Sequence, residues 1–278
     1  MQTILITGAS DGIGKSLAIL AAEKGHHLIL LMKNNSKSEA AYQLILQKAG
    51  KNRIDFIACD LSLQKDIRCA CERIKERYSA IDVLINNAAI YLEERILTFE
   101  GVEKTLAVNV IAPYLLMKAL TPLLQGPDSS ILNLSANPFW GPPKKLQNWR
   151  GFHQYSGRAM YRLSKEMLNI LTLQYARQLK GKLRIHLVYP GTTATGLIKK
   201  SALQRMPFPH RVQFLLRRPF SKSSQQTAAL IYQLLQSKSY QSMNGQFFRK
   251  NKPLPLSRFA DDHQWTKIIE ESCLSMIR

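Results

Sequence analysis

Tyr161 and Lys165 stand four residues apart in the stretch YRLSK. On a helix that spacing puts both side chains on one face. A phenol with a pKa of ~10 is a poor acid–base catalyst near neutrality. A lysine ammonium beside it favours the phenolate and brings it toward the working range. A surface Tyr–Lys pair has the same spacing, so the pair alone decides nothing. The second candidate is TGASDGIG, Thr7 to Gly14. At a strand-to-helix turn, glycines permit positive φ and let the backbone approach phosphate, and the helix N-terminus receives a pyrophosphate. Gly8, Gly12, Ile13 and Gly14 make that turn. Ser10 and Asp11 sit where side chains cap the helix or touch a ribose. A purely structural turn would also use glycine.

About 20 residues past such a turn, an NAD site carries Asp or Glu. Here Lys33 and Asn34 stand there, Ser36 and Lys37 follow, and no acid occurs until Glu39. A cation at that place suits a 2′-phosphate, so NADP(H) is the expected cofactor. The six histidines are scattered and the four cysteines show no ligand spacing, which suggests no metal site and reduced thiols.

The elements that must position these residues alternate. Expected strands are Gln2–Thr7, His27–Met32, Ile54–Ala58, Ile81–Asn86, Ile131–Ser135 and Leu183–Tyr189, with a short last one at Phe247. Expected helices are Gly12–Lys24, Ser36–Lys48, a stretch capped by Ser62 and running to about Tyr78, Glu100–Leu123, Arg158–Lys180, Gln225–Gln236 and Asp261–Met276. Nearly all-apolar strands between helices of this length imply parallel βαβ crossovers. The expected fold class is therefore α/β, a Rossmann-type doubly wound parallel sheet with helices on both faces. At 278 residues, 1–278 reads as a single domain. Gly196–Ser224 interrupts the alternation and looks like an insertion.

Five motifs stand in register: TGASDGIG, NNAA (Asn86–Ala89), Asn109 in VNVIAPYLL, YRLSK, and PGTTAT (Pro190–Thr195). In order and spacing they resemble the short-chain dehydrogenase/reductase family, over nearly the whole chain. The gap before Tyr161, FFRKNKPLPLS and the C-terminal WTKIIEESCLSMI are most similar to its retinol-dehydrogenase-like branch. The resemblance implies that Tyr161 exchanges a proton with the substrate oxygen and that Lys165 bonds the nicotinamide ribose. It implies that Asn109 bends its helix and holds a relay water. It places Asp60 and Leu61 at the adenine, Asn87 and Ala88 beside its ribose, and Pro190, Gly191 and Thr195 at the nicotinamide end. The family ends its fifth strand with Ser-Ser, the second bonding the substrate oxygen. This chain has Ser135-Ala136, so Ser135 and Asn137 are the remaining candidates for that role. The family also implies that Gly196–Ser224 is a lid over the substrate.

The charge is one-sided. The chain has 39 Lys and Arg against 19 Asp and Glu, net +20. Residues 141–278 hold 24 of those cations and 5 of the acids, and between Gly141 and Arg258 the sole acid is Glu166. Such a half suits an anionic surface or only solubility. In Gly196–Ser224, Phe208, Phe214, Leu215 and Phe220 lie among Arg211, Arg217, Arg218 and Lys222 without an acid, as an interfacial segment requires. No secretory leader and no run of 18 apolar residues is seen, so nothing is expected to span a membrane.

Three readings follow. The first is an NADP(H)-dependent carbonyl reductase or alcohol dehydrogenase acting on a small lipophilic aldehyde, ketone or alcohol. The second is a non-catalytic cofactor-binding sensor or scaffold, because of Ala136. The third is a basic binder of membrane surface or nucleic acid, with nucleic acid the less favoured. The expected location is cytoplasmic, with peripheral contact at an anionic membrane; a homo-oligomer stays open.

Overall fold

The structure is a computed structural model; it describes residues 1–50, 53–126, 128–136, 155–191, 193, 197, 221–249, 251–254 and 263–277. The sequence candidates Asn137 and Thr195, and nearly all of 196–220, lie outside the described residues.

The strands are β1 Thr3–Thr7, β2 His27–Met32, β3 Ile54–Ala58, β4 Val83–Asn86, β5 Ser130–Leu134, β6 Arg184–Tyr189, β7 Phe247–Arg249 and β8 Lys252–Leu254. They form one sheet in the order β3-β2-β1-β4-β5-β6-β7-β8, parallel except where β7 meets β8. The order reverses between β1 and β4, so a crevice opens beyond their carboxyl ends, where doubly wound sheets bind ligands. Alternate residues of β1 feed opposite cores. Ile4 and Ile6 pack with Leu17 and Ala21 of α1 (Gly12–Glu23), whereas Leu5 packs with Ile67 and Ile74 of α3 (Gln64–Arg77). Helix α2 (Ser36–Ala49) lies beside α1.

The expected helix Glu100–Leu123 is replaced by several pieces. Residues 96–103 form a tight antiparallel turn, with Leu97 bridged to Glu103. The helical part starts as α4 (Lys104–Leu106), passes through a π-turn (Ala107–Ile111), and continues as α5 (Ala112–Leu120) and a 3₁₀ turn (Thr121–Leu123). By length and apolar composition Lys104–Leu123 is a candidate to cross a membrane, but 67% of its apolar stretch is buried inside this fold. Helix α6 (Gly157–Gln178) follows, then α7 (Ser224–Leu235) with a capping box from Ser223 and Gln226, α8 (Lys238–Ser242) and α9 (His263–Met276).

The expected cap of α3 also differs. The Ser62 hydroxyl donates instead to Asp60 Oδ1 at 2.7 Å. The α3 N-terminus is satisfied by a residue far along the chain: Glu100 Oε2 and Oε1 accept from the Gln64 and Lys65 N–H groups at 3.0 and 3.2 Å.

Candidate active site

The glycine turn is locked to the loop after β4. Gly8 has φ 71°, and a Cβ added there would lie 2.9 Å from Ala88 Cα. A Cβ on Gly14 would lie 2.4 Å from both Gly8 O and Asn87 Nδ2, so neither position admits a side chain. Thr7 Oγ1 accepts from the Asn87 and Ala88 N–H groups, each at 3.0 Å. Asn87 Nδ2 returns a bond to Thr7 O at 2.8 Å. The first and fourth strand ends are thereby held as one unit, with the N-terminus of α1 facing the crevice.

Two ion pairs flank this end. Asp11 caps α1 by accepting from Gly12 N–H at 2.7 Å, and its other oxygen meets Lys37 Nζ at 2.6 Å. Lys33 Nζ meets Asp60 Oδ2 at 2.8 Å. Burial opposes the charge of both carboxylates. The bonds from Lys37 and Gly12 outweigh it for Asp11, and those from Lys33 and Ser62 outweigh it for Asp60, so both titrate below the ordinary carboxylate value. The two lysines are at least half exposed, so a phosphate could draw them away from these partners.

At the far end, Tyr161 and Lys165 share one face of α6 and line the same cleft as Gly8, Gly12, Ile13 and Asn87, a space of about 620 Å³. Lys165 Nζ is buried and donates to Leu134 O at 3.0 Å. It lies 5.9 Å from the centroid of the Tyr161 ring. Burial lowers the Lys165 ammonium to about 8. Burial, and after it the neighbouring Tyr189 phenol, push Tyr161 above the usual tyrosine value. Burial thus outweighs the lowering expected from the lysine.

Asn109 sits in the π-turn, fully buried. Its Oδ1 accepts from Ile90 N–H at 2.9 Å, and its Nδ2 donates to Ile90 O and to Ser164 Oγ, both at 3.0 Å. Ser164 Oγ donates in turn to Tyr161 O at 2.8 Å. The amide therefore clamps the loop after β4 to α6 beneath the cleft, and both of its N–H groups are spent on protein partners. Asn109 lies within the π-turn Ala107–Ile111.

Ser135 reaches the cleft wall, but its Oγ donates to Asn169 Oδ1 at 2.5 Å, one helical turn beyond Lys165. Ala136 is buried. Ser10, Asp11, Lys33, Leu61, Ala88 and Pro190 line the cleft. Gly191, with φ 85°, adjoins Pro190; Asp60 and Gly14 stand just behind the lining, holding Lys33 and packing under Gly8.

The sequence reading passed over Tyr91, Leu92, Ile96, Lys104 and Val108, which line the same cleft as Tyr161. Tyr91 packs its ring 5.8 Å from that of Tyr161, and its hydroxyl donates to Glu93 Oε1 at 2.5 Å. Their only signal was position: IYLEERI follows directly on NNAA.

The family "short chain dehydrogenase" matches residues 2–205. Dehydrogenase/reductase SDR family member 12 of Bos taurus is 27% identical over 97% of this chain and 86% of its own length. Retinol dehydrogenase 13 of Homo sapiens is 29% identical over 74% of this chain and 63% of its own. Polyprenol dehydrogenase of Homo sapiens is 27% identical over 71% and 62%. Among solved structures, a short-chain dehydrogenase from Sphingobium yanoikuyae in complex with NADPH superposes with a TM-score of 0.63 at 22% identity, over 84% of this chain and 83% of that one. The fold, the family match and these relatives agree: the chain belongs to the short-chain dehydrogenase family, in its retinol-dehydrogenase-like branch.

Proposed function

We propose that the protein is an NADP(H)-dependent oxidoreductase of CH–OH groups, acting on a lipophilic carbonyl or alcohol, with Tyr161 as general acid/base. The observation that carries this reading is the meeting, in one cleft, of the glycine turn and the Tyr161–Lys165 face of α6. The turn fits a dinucleotide: Gly8 and Gly14 leave no room for a Cβ, and the α1 N-terminus points at the cleft. Gly12, Ile13, Asn87 and Ala88 would hold the phosphates and the adenosine side. Lys33 and Lys37 would receive a 2′-phosphate, exchanging Asp60 and Asp11 for it. When bound, the nicotinamide supplies or takes the hydride.

In the reducing direction, the Tyr161 O–H gives its proton to the carbonyl oxygen as the carbon gains its hydrogen, and solvent restores the phenol. Lys165, buried on the same face, stabilises the phenolate that forms. Burial keeps the Tyr161 phenol protonated, the form that donates to a carbonyl oxygen; in the oxidising direction the same group takes the proton back. Asn109 keeps Tyr161 in place through Ser164. The wall beyond Tyr161 is built by Ile90, Tyr91, Leu92, Ile96, Val108 and Leu197, which excludes water and suits an apolar substrate. The names of retinol dehydrogenase 13 and polyprenol dehydrogenase support a substrate of that class. We take 1–278 as one domain, 196–224 as the lid, and the location as cytoplasmic with peripheral membrane contact. NADPH oxidation against aliphatic, aromatic and isoprenoid aldehydes tests the reading; no turnover with any of them would sink it.

A second reading has its own observation. With Ala136 at the family's serine position and Ser135 bonded to Asn169, no second donor stands beside Tyr161 for the substrate oxygen among the described residues. A cofactor-binding sensor or scaffold would then bind NADPH tightly and turn nothing over.

A further inference from the structure

Ile96, Leu97 and Phe99 make an apolar edge beside the cleft mouth. Phe99 is fully exposed at the tip, and Leu97 and Ile96 are 46% and 41% exposed. The exposure does not come from a loose loop. Gly101 N–H donates to Thr98 O at 2.9 Å, Thr98 N–H to Val102 O at 2.8 Å, and Lys104 N–H to Ile96 O at 2.9 Å. Gly101, at φ 78°, closes the turn. Glu100, next to Phe99, is fastened to the α3 N-terminus. A tip so fixed cannot fold its phenyl ring back onto the protein, and the ring stays in water at full hydrophobic cost.

Three of the four acids around this tip are engaged within the fold, while Glu94 is exposed. Glu93 accepts from the Tyr91 hydroxyl. Glu100 is held at a helix N-terminus, where the dipole offsets its charge. Glu103 caps α4 at Leu106 and accepts from the Tyr155 hydroxyl. Lys104 stands on the cleft wall and Arg158 acts on Tyr91 from α6. The chain as a whole carries +20. That charge repels a second copy and attracts an anionic leaflet. Ile96 belongs both to the exposed edge and to the cleft lining. Ile96 thereby joins the exposed edge to the cleft that Tyr91 and Tyr161 line.

The geometry points to the 96–99 turn as a docking element that enters an anionic lipid bilayer and sets the substrate mouth against it. The assignment rests on the lipophilic substrate proposed above, but binding is measured without turnover, so each can fail alone. Phe99 and Leu97 enter the acyl boundary, while Lys104 and Arg158 near the mouth meet the headgroups.

The test is flotation of the full chain with phosphatidylserine–phosphatidylcholine vesicles and with pure phosphatidylcholine vesicles, at low and high salt. The wild type floats with the anionic vesicles, less with neutral ones, and less as salt rises. Leu97→Ser/Phe99→Ser lowers partitioning by about tenfold or more, since full burial of one such side chain is worth at least that factor. Its melting temperature, its NADPH affinity and its turnover of a short water-soluble aldehyde match the wild type. A second variant, Phe99→Trp, keeps partitioning, and its emission shifts to the blue on anionic vesicles. Wild-type protein that stays in the supernatant, a double variant that floats equally, or Phe99→Trp emission indifferent to vesicles would each overturn the assignment. A dimer in sedimentation that Phe99→Ser breaks, without vesicle binding, would give the surface to a second copy and overturn it too.

Discussion

The Ser135 hydroxyl donates to Asn169 Oδ1, so the strand-end serine of this chain is bonded to α6 one turn beyond Lys165. A hydroxyl has one proton, and here it is committed. Ala136 stands where the family places the donor to the substrate oxygen. Ala136→Ser is expected to raise kcat by about tenfold or more, toward the ~2.7–4 kcal/mol that such donors contribute elsewhere. Ser135→Ala is expected to lower the melting temperature and change kcat little. A large loss of kcat in Ser135→Ala, with no gain in Ala136→Ser, would return the role to Ser135.

Cofactor choice rests on Lys33 and Lys37, each now paired with a carboxylate. Charge-assisted bonds contribute about 1.5–3 kcal/mol. Lys33→Ala should therefore weaken NADPH by about ten- to a hundredfold, and leave NADH within about twofold. Titration with both nucleotides measures this. Equal wild-type affinities for the two would contradict the assignment.

Glu100 satisfies the first N–H groups of α3 from 36 residues away in sequence. Loss of such a cap costs about 0.5–2 kcal/mol. Glu100→Ala should lower stability by that amount in urea, whereas Ser62→Ala should not affect the helix cap. If Ser62→Ala proved the more damaging, the capping assignment would be reversed.

His186 is fully buried against Tyr240 and Phe248. Burial lowers it from 6.5 to about 4. Below pH 6.5 the unfolded chain takes up a proton there that the folded chain refuses until about pH 4. The contribution is whole above 6.5 and falls away as pH drops toward 4, by about 3 kcal/mol at most. Urea melts at pH 7 and pH 4.5 should show this loss in the wild type and a smaller one in His186→Gln.

Much of the sheet was legible from local sequence. TILIT and HLILLM are apolar or β-branched runs followed by Gly8 or by Lys33-Asn34, and the strands end at Thr7 and Met32, just before them. What failed was long-range or hidden within a helical pattern. The Glu100 cap joins distant segments, and Ser135–Asn169 joins a strand to a helix. The π-turn at Asn109 keeps its apolar residues buried throughout, so periodicity saw one helix starting too early. Strand β8 was missed because Pro253 argues against a strand, and it is tolerated here at the sheet edge. For the candidate site, the motifs marked the glycine turn and Tyr161–Lys165, which the fold brings to one cleft. The apolar wall from Tyr91 to Ile96 has no motif and becomes visible only in the folded chain.

The central claim is that Tyr161 exchanges a proton with a lipophilic substrate beside a nicotinamide cofactor. The most direct measurement is single-turnover oxidation of bound NADPH by an isoprenoid aldehyde, in the wild type and in Tyr161→Phe. The account predicts a fall of about 10²–10⁴-fold, the usual worth of a general acid, with NADPH affinity unchanged within about twofold because the ring still packs against Tyr91. Wild-type turnover retained in Tyr161→Phe would contradict it.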